Sequence, residues 1–187
     1  MFFFSDMENV MVGKWIGIML VAIAFAFAGT AQADTTQDVT LTVTIRSLGI
    51  SVDPTSYAFG ILNTNETKVS ETALVVTNTG NDDEDVGVRV KDEDDQDEWT
   101  LGTPAENVYA LSCRLATTAG TFVAGDALTT TVQWCDGTKF GGGGRNMAKD
   151  ATVNAWFQLQ TPTVVTGDHA ADEHAITVEV TCQVAAE

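Results

Sequence analysis

Acidic side chains are concentrated in one stretch of the sequence, residues 82–98. It holds ten carboxylates and two basic residues, Arg89 and Lys91. Carboxylate oxygens are hard ligands that suit Ca²⁺. In the second half of the stretch they recur at close spacing, and the candidate calcium ligands are Asp92, Asp94, Asp95 and Asp97. The segment lacks the turn glycine and the closing glutamate of an EF-hand. A calcium loop and a solvated acidic loop that keeps the protein soluble are therefore both open interpretations.

The acidic stretch is interrupted by a predicted strand at 86–91. Six residues at about 3.3 Å each place its two ends roughly 20 Å apart. The carboxylates at 82–85 and those at 92–98 therefore cannot form a single cation site.

The chain has three cysteines, Cys113, Cys135 and Cys182. An odd number in an exported chain predicts one disulfide and a spare thiol. Cys113 and Cys135 flank a predicted hairpin and are the first candidate pair. Cys135 directly follows Trp134, so these two side chains point to opposite faces of the strand. A disulfide between Cys113 and Cys135 would therefore require a bulge. The alternative pair is Cys113 with Cys182, which would join two sheets.

No enzyme motif is found in the sequence. Gly141 to Gly144 does not follow a strand-to-helix pattern, so it is predicted as a flexible loop and not a phosphate-binding loop. His169 and His174 lie close to carboxylates, but their spacing matches no standard zinc motif, and a polar loop is the better interpretation. We expect a non-enzymatic protein with no cofactor apart from calcium.

Two tryptophans are candidates for sugar binding, Trp99 and Trp156. Phe157 is in phase with Val153 and Leu159, which places Trp156 on the opposite face of its strand. Packing under a loop is the alternative role of this side chain.

The first 33 residues differ in kind from the rest of the chain. Lys14 precedes an apolar run that ends at Phe27, and Ala31-Gln32-Ala33 follows, which is typical of a secretory signal peptide. Met11 is an alternative start that would remove the acidic residues before Lys14. The apolar run is too short to cross a bilayer, so we predict a signal peptide over 1–33, one domain over 34–187 and no membrane span in the mature form.

The remaining sequence alternates with a period of two and shows no sustained helical spacing. Alternation and turn clusters predict strands at 39–45, 50–53, 57–61, 69–78, 86–91, 108–116, 127–135, 153–160 and 176–184. The many threonines fit the same interpretation, because β-branched residues favour strands. About eight or nine short strands predict an all-β fold, an immunoglobulin-like antiparallel sandwich.

Three motifs follow one another in the first half of the domain: Phe59-Gly60, Val75-Val76-Thr77-Asn78 and Trp99-Thr100-Leu101. This order resembles the bacterial WxL-type surface domains over residues 41–101. The strand ending in Asn78, with Gly80 after it, is similar to one in secreted bacterial immunoglobulin-like modules. The resemblance implies a sandwich fold and a place on the bacterial cell surface, where WxL domains attach to peptidoglycan.

The sequence predicts an extracellular or cell-surface structural or interaction module whose partner is a surface protein, a polysaccharide or another copy of itself. The net charge of −17 argues against nucleic acid as a partner. Two other functions are open. One is a self-assembling fibre subunit, because the alternating segment from Asp38 to Arg46 could add to a neighbour's sheet. The other is a calcium-dependent carbohydrate-binding module.

Overall fold

The computed structural model describes residues 40–91, 99–166 and 174–186. The chain divides into two units, Met1–Val43 and Thr44–Glu187. Residues 40–43 of the first unit are described, and they form neither helix nor strand. The predicted signal peptide lies outside the described residues. Within the described ranges, no helix has the length and hydropathy needed to cross a membrane.

The described part of the second unit consists of β-strands and short 3-10 turns, without α-helix. The 3-10 turns are Ala124–Asp126 and Lys139–Gly142. The strands are β1 (Ile50–Asp53), β2 (Thr67–Val69), β3 (Leu74–Asn78), β4 (Glu84–Lys91), β5 (Thr100–Leu101), β6 (Val108–Leu115), β7 (Gln133–Trp134), β8 (Thr152–Gln160) and β9 (Thr177–Val184).

The strands form two sheets. The larger has the order β1-β3-β8-β6-β5, with β2 also paired to β8, and the smaller has the order β7-β4-β9. Among the described strands the pairings are antiparallel, except that β5 runs parallel to β6. The prediction of a purely antiparallel arrangement is wrong at this pair, because β5 comes directly before β6 and meets it after a loop without forming a hairpin.

One hydrophobic core lies between the two sheets. Alternate residues of β6 and β8 are buried in it, among them Leu115 and Phe157, and they meet Val86, Val88 and Val90 of β4. Burial therefore alternates along these strands with the same period of two as hydrophobicity in the sequence, since successive side chains of a strand point to opposite faces. The all-β prediction is confirmed, and so is the assignment of Phe157 to the buried face.

Four predicted strands differ from the structure. The strand over 69–78 is divided, because β2 ends at Val69 and β3 begins at Leu74. The strand over 39–45 is wrong for the described residues 40–45, which have no strand partner in the described chain. Residues 57–61 also form no strand; instead, Tyr57 and Phe59 pack edge to face with ring centroids 5.0 Å apart. The strand over 127–135 shortens to Gln133–Trp134. Alternation alone is insufficient, because a strand also needs a neighbour for its backbone hydrogen bonds.

The glycine-rich segment predicted as a flexible loop begins with the 3-10 turn Lys139–Gly142. Phe140 is fully buried and fixes this turn to the core. Gly141 and Gly142 follow with φ of +74° and +77°, a conformation that favours glycine. The glycines therefore shape a packed turn.

Candidate functional site

The predicted calcium ligands Asp92, Asp94, Asp95 and Asp97 lie outside the described residues. In the ranges that the structure does describe, no group of three or more His, Cys, Asp or Glu side chains is arranged to hold a metal ion. Calcium binding by residues 92–97 stays a prediction.

The first acidic cluster, residues 82–85, has a structural role that the sequence did not indicate. Asp82 forms an ion pair with Arg46. Glu84 and Asp85 are buried, and their carboxylates accept backbone hydrogen bonds from Gly49 at 2.7 Å and from Asn146 at 2.9 Å. These carboxylates therefore hold distant parts of the chain together. In the sequence, these carboxylates could have been recognised only by their position at the start of the buried strand β4.

A third buried carboxylate, Asp126, was also missed. Asp126 is fully buried, lies 3.3 Å from Nη1 of Arg114 and accepts a hydrogen bond from the Val123 backbone at 2.9 Å. An isolated Asp-Arg pair twelve residues apart gives no recognisable sequence pattern. The arrangement stabilises the turn Ala124–Asp126, because the carboxylate joins it to Arg114 of β6.

All three cysteines are free thiols in this structure. Neither the predicted Cys113–Cys135 pair nor the alternative Cys113–Cys182 pair is formed. Cys113 points into the core from β6, whereas Cys135 directs its sulfur toward the Lys139 carbonyl oxygen at 3.4 Å. Burial raises the pKa of the Cys113 and Cys135 thiols, and burial together with the Glu84 carboxylate raises the pKa of Cys182 to about 11. A high thiol pKa disfavours the reactive thiolate form of a cysteine.

The aromatic side chains considered for sugar binding make contacts within the chain. Trp99 stacks on His174, with ring centroids 4.1 Å apart, and also contacts Tyr109. Trp156 is half-buried and donates its indole N–H to the Ala116 carbonyl at 3.1 Å. The second candidate histidine, His169, lies outside the described residues. Carbohydrate binding stays a prediction without added support from these rings.

The alternating segment that precedes β1 exposes three apolar side chains. Leu41, Val43 and Ile45 are 89%, 86% and 77% exposed. Three hydrogen bonds fix its C-terminal end to Asn81: the Asn81 side chain donates to the Ile45 carbonyl and accepts from the Ser47 amide, and the Asn81 amide donates to the Ser47 carbonyl. We call residues 40–46 the N-terminal segment.

The open edge of the smaller sheet is the second feature of interest. β9 pairs with β4 on one side, and its other side has no strand neighbour among the described residues. Val178, Val180 and Cys182 face the core but are half-buried, in contrast to the buried Val86, Val88 and Val90 opposite them. Strand addition needs an exposed alternating segment as donor and an incompletely covered sheet edge as acceptor.

Comparison of the chain with protein-family models, with curated proteins and with solved structures found no match. Function is therefore inferred from the residues and their geometry. The WxL-type and immunoglobulin-like resemblances stay predictions.

Proposed function

We propose that this protein is an exported, non-enzymatic structural module with an immunoglobulin-like sandwich fold, and that its copies assemble outside the cell. Export is supported by the signal-like sequence of residues 1–33, and the sandwich by two sheets that enclose one core. The mechanism is strand addition: the N-terminal segment of one copy supplies a strand to the sheet of another.

The observation that carries this proposal is the exposure of three alternating apolar side chains, Leu41, Val43 and Ile45. Together they leave a large apolar area in water, and burying one such side chain is worth about 1.5–3 kcal/mol. The threonines between them fit the solvent-facing side of a strand. A segment of this pattern gains stability when it joins a sheet with its apolar side toward a core.

The matched test compares Val43→Lys with Thr42→Lys. Both add one positive charge to the same exposed segment, but Val43 belongs to the apolar side and Thr42 to the polar side. We expect the unmodified chain and T42K to form multimers, and V43K to remain monomeric, because strand addition would bury the lysine charge. Size-exclusion chromatography with light scattering, on chain expressed with its leader so that export processing occurs, measures this.

A monomeric unmodified chain at the highest concentration that stays in solution would overturn the proposal. Equal loss of multimers in both lysine variants would also overturn it, since the effect would then come from charge and not from the apolar face. Circular dichroism of each variant checks that the fold is retained.

A further inference from the structure

The smaller sheet presents a defined row of backbone groups at its open edge. Val86 of β4 directs its amide to Gly144 and accepts a bond from Cys135, both on the side away from β9. In an antiparallel pair, the residue opposite such a position also directs its N–H and C=O away from its partner. Cys182 is opposite Val86, so the outward groups of β9 belong to Val178, Val180 and Cys182.

These outward groups have no backbone hydrogen bond to another part of the chain in the described ranges. The side chains of the same residues face the core and are half-buried, and Thr177, Glu179 and Thr181 alternate with them on the outer face. A strand laid along this edge would need an apolar residue at every second position on the core side and short polar residues on the other side.

The N-terminal segment has this pattern. Its apolar residues Leu41, Val43 and Ile45 alternate with Thr40, Thr42 and Thr44, and these six residues carry no charged side chain. The chain has a net charge of −17, so a neutral segment can approach another copy with less repulsion than an acidic one. The six residues from Thr40 to Ile45 are enough to cover most of the eight-residue strand β9.

The hydrogen bonds at Asn81 favour a second copy as the source of this strand. They fix the backbone at Ile45 and Ser47, next to the turn that precedes β4. A reversal that laid the segment along its own β9 would have to break these bonds or fall within residues 40–45, and then Leu41, Val43 and Ile45 could not all lie on one strand.

We propose that the outer edge of β9 is the acceptor for the N-terminal segment of a second copy of this chain; this inference rests on the proposed function. The added strand would extend the smaller sheet to β7-β4-β9-segment and cover Val178, Val180 and Cys182. Each copy has one donor segment and one acceptor edge at different places. Such a heterologous contact can repeat from copy to copy and so build multimers.

Hydrogen exchange tests the acceptor directly. Amide exchange is measured by mass spectrometry on multimers of the unmodified chain and on the monomeric V43K variant. We expect the β9 amides to exchange at least about tenfold more slowly in the multimer, since Val178, Val180 and Cys182 gain hydrogen bonds. Multimers that protect β1 (Ile50–Asp53) and leave β9 unchanged would overturn the β9 acceptor while the proposed assembly stands. A monomeric unmodified chain would overturn both.

Cross-linking provides a second, independent readout of the same contact. Single variants Leu41→Cys, Val43→Cys and Ile45→Cys place a thiol on the apolar side of the donor, and Thr42→Cys is the control on the opposite side. The native Cys182 supplies the acceptor thiol at one end of β9. At the other end, Val178→Cys supplies it in a Cys182→Ser background. We expect oxidised multimers to contain covalent ladders from the apolar-side variants. Ladders of equal yield from T42C, or none at either acceptor, would overturn the proposal.

Discussion

Val180 of β9 lies directly opposite Val88 of β4, yet Val88 is 0% exposed whereas Val180 is half-buried. Both side chains face the same core. The difference arises because β4 has a strand on each side and β9 has one neighbour in the described chain. The smaller sheet is therefore incompletely covered along one edge, and this edge is where the proposed assembly acts.

The assembly should strengthen with salt. Each copy carries a net charge of −17, and screening at physiological ionic strength limits the repulsion between copies to about 8 Å. Average multimer mass from light scattering should rise with added NaCl. Comparison with CaCl₂ at equal ionic strength separates general screening from calcium binding at residues 92–97. Dissociation of multimers by NaCl would contradict an apolar strand contact and indicate charge pairing instead.

The buried pair of Asp126 and Arg114 should make a large contribution to stability. Asp126→Ala removes a fully buried carboxylate and leaves the Arg114 guanidinium, whose side chain is 24% exposed, without this partner. We expect a loss of roughly 3 kcal/mol in the free energy of unfolding. Asp126→Asn keeps the acceptor for the Val123 amide and should cost less. Urea unfolding at constant m-value measures both, and equal losses would show that the charge is unimportant.

The cross-strand pair of Arg89 and Glu179 should make stability depend on pH. Arg89 donates two hydrogen bonds to Glu179, at 2.8 and 3.0 Å, and this holds the pKa of Glu179 below its usual 4.5. A carboxyl with a lowered folded-state pKa stabilises the fold above its unfolded pKa, and the benefit is lost as pH falls through the folded value. Glu179→Gln should therefore be less stable than the unmodified chain at neutral pH, with the difference shrinking in acid.

A double-mutant cycle is the control for this pH effect. Arg89→Gln and Glu179→Gln should show a favourable coupling at neutral pH that disappears below the folded-state pKa of Glu179. Coupling that persists unchanged in acid would contradict an ionic origin.

The thiols should react in a fixed order. The thiolate is the reactive form, and burial beside the Glu84 carboxylate raises the pKa of Cys182 to about 11. Cys182 is half-exposed and should alkylate first as the pH is raised, whereas the buried Cys113 should react after unfolding. Peptide mapping of iodoacetamide-labelled protein measures the order. Glu84→Gln should accelerate labelling of Cys182, because it removes the neighbouring negative charge.

The same experiment tests the cysteine state. Unreduced protein unfolded in denaturant should take up three alkyl groups, as expected for the free thiols of the structure. Uptake of one group would instead support the disulfide that the sequence predicted.

The strands that alternate most regularly were predicted most closely from the sequence. The prediction at 153–160 matches β8 (Thr152–Gln160), and that at 176–184 matches β9 (Thr177–Val184). The short strands β2 and β5 were missed, because three residues or fewer give no detectable period. Their strand state depends on pairing with β8 and β6, which are distant in sequence or separated by a loop.

The candidate site was predicted in part. The alternation of Leu41, Val43 and Ile45 predicted a strand, which the described residues 40–45 do not form, and their lack of a partner in the described chain could not be deduced from the pattern. The alternating residues at 178–182 likewise gave no indication that β9 would lie at the edge of its sheet. Strand order is set by contacts between residues far apart in sequence.

The sequence by itself determined that the domain is built from strands and which side of each long strand faces the core, because alternation and side-chain geometry share a period of two. The tertiary structure decided which carboxylates are buried, that the three thiols remain separate and that β9 has one strand neighbour among the described residues. These properties depend on which segments meet in space. The physical reason is that desolvation and hydrogen bonding depend on how close groups lie to one another, and the packing of the two sheets sets these distances.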